Sequence, residues 1–233
     1  MTPAVVERRE RERAARRDHI LDAAERVFWR EGFEAAKMGA IAEAAQLAKG
    51  TLYLYFRDKD HLALGLATRH QAELLARFAT LQDEVRARGE AGLSLLRRLL
   101  TAYADHMQNP LAHLRMVMSR WATGRAFDPQ TEGCQRAQEN VVRIFTTIRD
   151  AIVCAQREGD LPTDVGPEAL VGFLFSSVNG SLLLRLQMSC FPAPELAGDQ
   201  VMMSTSAHID LLLDACRHRA ASGLTTTDQR GST

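Results

Sequence analysis

Residues 38–62, MGAIAEAAQLAKGTLYLYFRDKDHL, hold two short helical patterns and the start of a third, with three residues between the first two. The apolar stripe Met38, Ile41, Ala42, Ala45 recurs at helical spacing. Gln46-Leu47-Ala48 breaks it, and the second pattern runs from Lys49 to Phe56. That segment is too short to stand alone, since an isolated helix in water needs roughly 12–15 residues. Leu52 and Phe56, at i and i+4, anchor one side of it, while a lysine, a glycine, a threonine and two tyrosines occupy the rest. A short helix held on one side and small or polar on the other suits insertion into a groove. We read the pair as a helix-turn-helix that docks on DNA, with residues 49–56 as its recognition helix.

The flanking residues supply what such a unit needs. Ile20, Leu21, Ala24, Val27 and Phe28 mark a first helix that ends at Glu31-Gly32, with glycine just past its last turn. Asp58 is a preferred N-cap for the next helix, and Asp60 sits in its first turn against the positive dipole end. Leu62, Leu66, Ala67, Leu74, Leu75 and Phe78 carry that helix to about residue 88. Upstream, residues 7–17 (ERRERERAARR) allow i, i+4 pairs such as Glu7–Arg11 and Glu12–Arg16. This basic arm either extends the first helix or stays disordered, and it is placed to lie along a DNA backbone or reach a minor groove.

Formal net charge is +0, but the charge is unevenly spread. Six arginines against three glutamates over residues 1–17 leave +3, and four cations against Glu43 and Asp58 over 37–59 leave +2. Two basic segments in a neutral chain fit a head that touches phosphates and a body that does not. The apolar content of 46%, rich in Ala and Leu, and the abundance of Arg and Glu argue for an all-α protein. No run of about 18 uncharged apolar residues and no apolar leader are evident, so we expect a soluble, cytoplasmic chain with no membrane span. Cys134, Cys154, Cys190 and Cys216 form no C-x-x-C pair; we expect reduced, mostly buried thiols, with redox sensing as the other option. The seven histidines show no metal-ligand spacing, and no nucleophile elbow, Walker loop, paired carboxylates or Cys/His arrangement appears. No metal, no cofactor and no enzyme activity are expected.

The second half reads as helices over 91–107, 111–122, 132–157, 167–188 and 201–219. Residues 169–188 are apolar nearly all round and must be covered on more than one side. With 202–213 they can form a self-complementary face, two helix pairs packing around a two-fold axis. Phe173, Ser177, Ser181, Leu182, Arg185, Met202, Ile209 and Leu213 are the residues expected there. His106, Met116, Arg120, Trp121, Phe127, Gln138, Phe145, Phe175 and Asn179 are candidates for a cavity between body helices, or else plain core. A lining rich in methionine suits apolar ligands of variable shape.

Residues 18–62, with Gly32-Phe33, Ile41-Ala42, Lys49-Gly50-Thr51-Leu52-Tyr53, Tyr55-Phe56 and Lys59, resemble the N-terminal domain of the TetR (tetracycline repressor) family. The similarity is specific because the K-G-T-L-Y-x-Y-F-x-x-K run follows an I-A-x-x-A helix at the right distance. It implies a head at 18–62 and a ligand-binding, dimerising body at 63–220; the arm occupies 1–17, and the Ser/Thr/Gly-rich tail at 221–233 is expected to be disordered from its composition. It further implies a homodimer on a palindromic double-stranded DNA operator, released by a small-molecule inducer. Lys37, Thr51, Tyr55 and Lys59 are then expected on phosphates, and Lys49, Gly50 and Tyr53 at base edges. Three positions depart from the family pattern. Ala36-Lys37 stand where Thr or Ser caps the second helix. Gln46 stands where the turn carries glycine, which is expected to re-shape the turn. Ala48 replaces the recognition helix's cap, at a loss of about 1 kcal/mol. The competing expectation is a thiol-redox-responsive or architectural DNA-binding protein without a ligand.

Overall fold

The computed structural model describes residues 3–108, 127–190 and 203–222. Among them are eight helices and no strand: α1 (Pro3–Glu31), α2 (Met38–Ala44), α3 (Lys49–Tyr55), α4 (Lys59–Arg88), α5 (Gly92–Gln108), α6 (Glu132–Arg157), α7 (Pro167–Cys190) and α8 (Thr205–Ser222). The fold is all-α. The arm is the first half of α1, and its residues from Val5 to His19 are exposed. The helix expected over 111–122, with Met116, Arg120 and Trp121, lies outside the described residues, as do Met202 and residues 223–233.

The described residues fall into two compact units, 3–72 with 127–140, and 73–108 with 141–190 and 203–222. In the first, Ile20, Leu21, Ala24, Val27 and Phe28 of α1 meet Ile41 and Ala42 of α2, Leu52 of α3, Phe56, and Leu62, Ala63 and Leu66 of α4. Phe33 and Ala36, between α1 and α2, complete that core, and the Phe28 and Phe33 rings lie 5.2 Å apart. Full burial of one such leucine or isoleucine is worth about 1.5–3 kcal/mol. Helix α3, too short to nucleate alone, is therefore held by Leu52 and by Phe56 just past its end. Arg69 of α4 clamps α1 through Asp22 at 2.6 Å and Glu25 at 2.9 Å. The unit reaches along α4 as far as Ala72 and takes in the start of α6.

The turn after α2 keeps its shape without a glycine. Gln46 takes φ 53 and is the only non-glycine with positive φ among the described residues. Its N–H donates to the Glu43 carbonyl and the Leu47 N–H to the Ala42 carbonyl, both at 2.9 Å. These two bonds form a Schellman closure. Helix α6 ends the same way at Gly159 (φ 83), where the amides of 159 and 160 bond to Gln156 and Ala155. The expected re-shaping of the turn is thus absent: Gln46 accepts the left-handed conformation, which costs an L-residue roughly 1–2 kcal/mol.

In the second unit the core is built from Leu96, Leu99 and Leu100 of α5, Ile148 and Ile152 of α6, Leu174 and Val178 of α7, and Ile209 and Leu213 of α8. Gly92 opens α5 directly against α6: a Cβ there would stand 2.7 Å from the Ala155 nitrogen and 2.9 Å from the Cys154 Cβ. The Gly92 N–H donates to the Glu158 carboxylate at 2.6 Å, which pins the crossing. Gln156 donates to the carbonyls of Pro162 (2.7 Å) and Val165 (2.9 Å), folding the chain back before α7.

Candidate nucleic-acid interface

A helix turns about 100° per residue, so the buried Leu52 orients every other side chain of α3. Gly50 and Leu54 lie about 160° from Leu52 on either side and form the outermost line of the helix. Leu54 is 78% exposed and Tyr53, on one flank, 46%. Thr51 on the other flank is half-buried, Lys49 is exposed, and Tyr55 packs partly against the head core. A Cβ at Gly50 would meet nothing within 4 Å. Nothing inside the protein therefore requires glycine there, and the residue leaves the first turn of α3 bare for close approach from outside.

The rest of the frame is set by helix ends. Lys37 and Ala48 hold the N-cap positions of α2 and α3 in extended backbone with no side-chain cap bond, as their side chains dictate. The C-terminal carbonyls of α2 are met from α1: the His19 Nε2 lies 3.0 Å from the Ala45 oxygen, and Arg26 donates to Ala44 at 3.4 Å. At the start of α4, Asp58 accepts from the His61 N–H at 2.8 Å and from Arg57 at 3.0 Å. Burial pushes the Asp58 carboxyl up, but the bonds from the His61 amide, Arg57 and the His61 ring outweigh it and hold the group below its ordinary range. Lys37, at the start of α2, is exposed. Lys59 is already engaged: its ammonium donates to the Glu34 carbonyl at 2.9 Å and lies 4.7 Å from the centre of the Phe33 ring. It braces the α1–α2 loop, a role its place in the sequence pattern did not reveal. Arg17 lies over the Phe56 ring, 4.9 Å from its centre, which ties the arm's base to the end of α3.

Residues 20–66 match the family model for bacterial regulatory proteins of the tetR family. The head of this chain is a TetR-type DNA-binding domain. The chain is similar to the HTH-type transcriptional regulator TtgR of Pseudomonas putida, with 27% identity over 200 residues covering 84% of this chain and 90% of that protein. Its fold is similar to that of the fatty acid degradation regulator FadR from Bacillus halodurans, with a TM-score of 0.64, 15% identity, and 86% and 94% of the two chains covered. The transcriptional regulator FadR from Bacillus subtilis, solved with stearoyl-CoA, gives a TM-score of 0.59 at 14% identity over 88% of this chain and 98% of that one. The chain is a helix-turn-helix transcriptional regulator with a TetR-type head, in which α2 and α3 are the two helices of the motif.

The body sorts the remaining expectations. Leu182, Ile209 and Leu213 are buried inside the unit at 4%, 0% and 0% exposure and offer nothing to a second copy. Helix α7 is apolar all round, so its pattern could not say which side faces inward. Phe173 is exposed, and Ser177, Ser181 and Arg185 are half-buried, with Arg185 donating to the Met203 carbonyl. The outward stripe is Gly172, Ser176, Gly180 and Leu184, four residues apart, with Phe173 beside it and Leu211 exposed on α8. That four-residue spacing of small residues was the signal available in the sequence. Residues Pro167–Arg185 are long and apolar enough to cross a membrane by length and composition alone, with Glu168 and Arg185 bounding the uncharged stretch, and 33% of the window is buried.

Of the cavity candidates, Phe127 packs on the core of the head and Gln138 is exposed in that same unit, so both leave the set. Three others come together in the body. Phe145 and Phe175 stack with centroids 4.3 Å apart, and Asn179 donates to the Phe175 carbonyl at 2.9 Å. The Tyr103 hydroxyl donates to Asn179 at 2.9 Å, and its ring meets Phe175 edge-on at 4.7 Å. Burial raises the Tyr103 phenol, with the Asn179 bond partly opposing it. Tyr103 was absent from the candidates because its helical spacing marks it equally well as core. His106, one turn along α5, is half-buried. Burial pushes the Cys154 and Cys216 thiols up, and Glu158 adds to this at Cys154, which lowers the thiolate fraction that redox sensing needs.

Proposed function

We propose that this TetR-family regulator is a repressor that binds a palindromic operator as a homodimer and releases it when a small molecule occupies the body. The observation that carries the reading is the bare outer line of α3, Gly50 and Leu54, held out by a buried Leu52. Lys49 and Tyr53 flank that line toward base edges, while Lys37, Thr51, Tyr55 and the remaining donors of Lys59 serve phosphates. The stripe Gly172–Ser176–Gly180–Leu184 with Phe173 and Leu211 supports a two-fold dimer, since a long apolar helix that leaves one continuous side exposed in a single chain is best covered by a second copy. Such a dimer would present its two α3 helices to half-sites about 34–36 Å apart, or a multiple of that. Phe145, Phe175, Tyr103 and Asn179 support an inducer that is largely apolar with one polar handle, in keeping with the acyl thioester carried by one structural neighbour. The protein acts where DNA is, in the cytoplasm, and needs no catalytic step.

The test is a bind-and-release experiment. Operator duplex obtained by selection is loaded with the protein and challenged with fatty acids, acyl thioesters and apolar drugs. We expect at least one compound to weaken binding by about 5–150-fold, the usual range of coupling between two sites. Tight binding that no compound relieves, and that peroxide leaves intact, would favour the architectural alternative. Phe173→Asp should sediment as a monomer and lose operator affinity; an unchanged dimer would remove α7 from the interface.

A further inference from the structure

Folding does not use the Leu54 side chain. It is the most exposed large apolar residue among those described, at 78%, although α3 is otherwise anchored by apolar burial. It lies one turn after Gly50 on the line about 160° from Leu52, so it is the first side chain to reach the floor of any groove that α3 enters. Tyr53 and Thr51 sit about 100° from Leu52 on either flank, which leaves their hydroxyls to the polar edges and walls. A major groove shows donors, acceptors and one apolar group, the thymine C5-methyl. A leucine pressed on a donor or acceptor strips its water without replacing it, whereas on the methyl it buries apolar surface against apolar surface.

We propose that Leu54 is a specificity-determining residue that reads a thymine in each half-site through its C5-methyl, with the bare Gly50 letting the helix come close enough for that contact. This inference rests on the DNA-reading role of α3. The experiment separates the two. Full-length protein first selects duplexes from random DNA, and each thymine of the enriched site is then replaced by deoxyuridine, which removes the methyl and nothing else. In the wild type, one thymine per half-site should show a loss of about four-fold in affinity, the worth of one buried methyl group. In Leu54→Ala and Leu54→Gln the same replacement should have no further effect, while Leu54→Met keeps the sensitivity. Leu54 is exposed, so these variants should melt within a degree or two of the wild type, and a melt establishes that each is folded. Equal affinity for thymine and deoxyuridine at every position in the wild type would overturn the inference, as would full methyl sensitivity in Leu54→Ala. Failure to enrich any duplex overturns the DNA-reading role itself, an outcome distinct from a selected site that ignores the methyl.

Discussion

Gly50→Ala should move stability and DNA binding in opposite directions. The added Cβ meets nothing within 4 Å in the free protein, and Gly50 has no positive φ to lose. Replacing a helical glycine by alanine then stabilises by about 0.5–1 kcal/mol, through the smaller entropy lost on folding. For a chain of this size that is a rise in Tm of about 1–4 °C. On DNA the same methyl stands about 1.5 Å out from the backbone, on the line opposite Leu52. An extra methyl in a close-packed contact costs about 1–3 kcal/mol, which weakens Kd by about 5–150-fold. Thermal unfolding of the free protein and fluorescence anisotropy on operator duplex at one fixed salt concentration measure the two effects. Unchanged affinity in Gly50→Ala would refute the close approach of this turn to DNA. A lower Tm would contradict the open space around this position in the free protein.

Four further outcomes follow from the geometry. Gln46→Gly should relieve a left-handed residue costing about 1–2 kcal/mol while adding about 0.5–1 kcal/mol of unfolded-state entropy, a net gain of about 0.5–1 kcal/mol readable as a higher denaturant midpoint. Gly92→Ala should destabilise by about 1–3 kcal/mol, because the Cβ meets backbone 2.7 Å away at Ala155; a neutral result would mean that α5 and α6 can separate freely. Asp58→Ala should cost about 1 kcal/mol at neutral pH through the lost cap. The Asp58 carboxyl is depressed in the folded state, so its contribution is present above the unfolded value near 3.8 and is lost as pH falls through the lower folded value. The gap between wild type and Asp58→Ala should therefore close below about pH 4 in acid unfolding curves. Removing residues 2–15 deletes exposed helix with four of the six arm arginines, so Tm should hold while the slope of log affinity against log salt flattens; an unchanged slope would mean that the arm does not touch phosphates.

The head was legible because each of its helices has one apolar side. Ile41, Ala42 and Ala45 can face only inward, and Leu52 with Phe56 leaves α3 one way to turn. Phase was lost where helices are apolar all round. Leu182 and Phe173 look alike in α7, yet one is core and the other exposed. Phe127 and Gln138 are expected between body helices, but the start of α6 folds with the head. Lys59 is expected on a phosphate through the family resemblance, whereas its bond to Glu34 depends on how the α1–α2 loop lies. Gln46 broke the glycine rule for turns, and only the dihedral angle reveals that it adopts the turn regardless.

The central claim is that two copies of α3, held by one dimer, read two half-sites. Selection of bound duplexes from random DNA by the full-length protein tests it most directly. Enrichment of an inverted repeat, with half-site centres about 34–36 Å apart or a multiple of that, is the expected result. Recovery of unenriched DNA, or of a single asymmetric site bound by one chain, would contradict it.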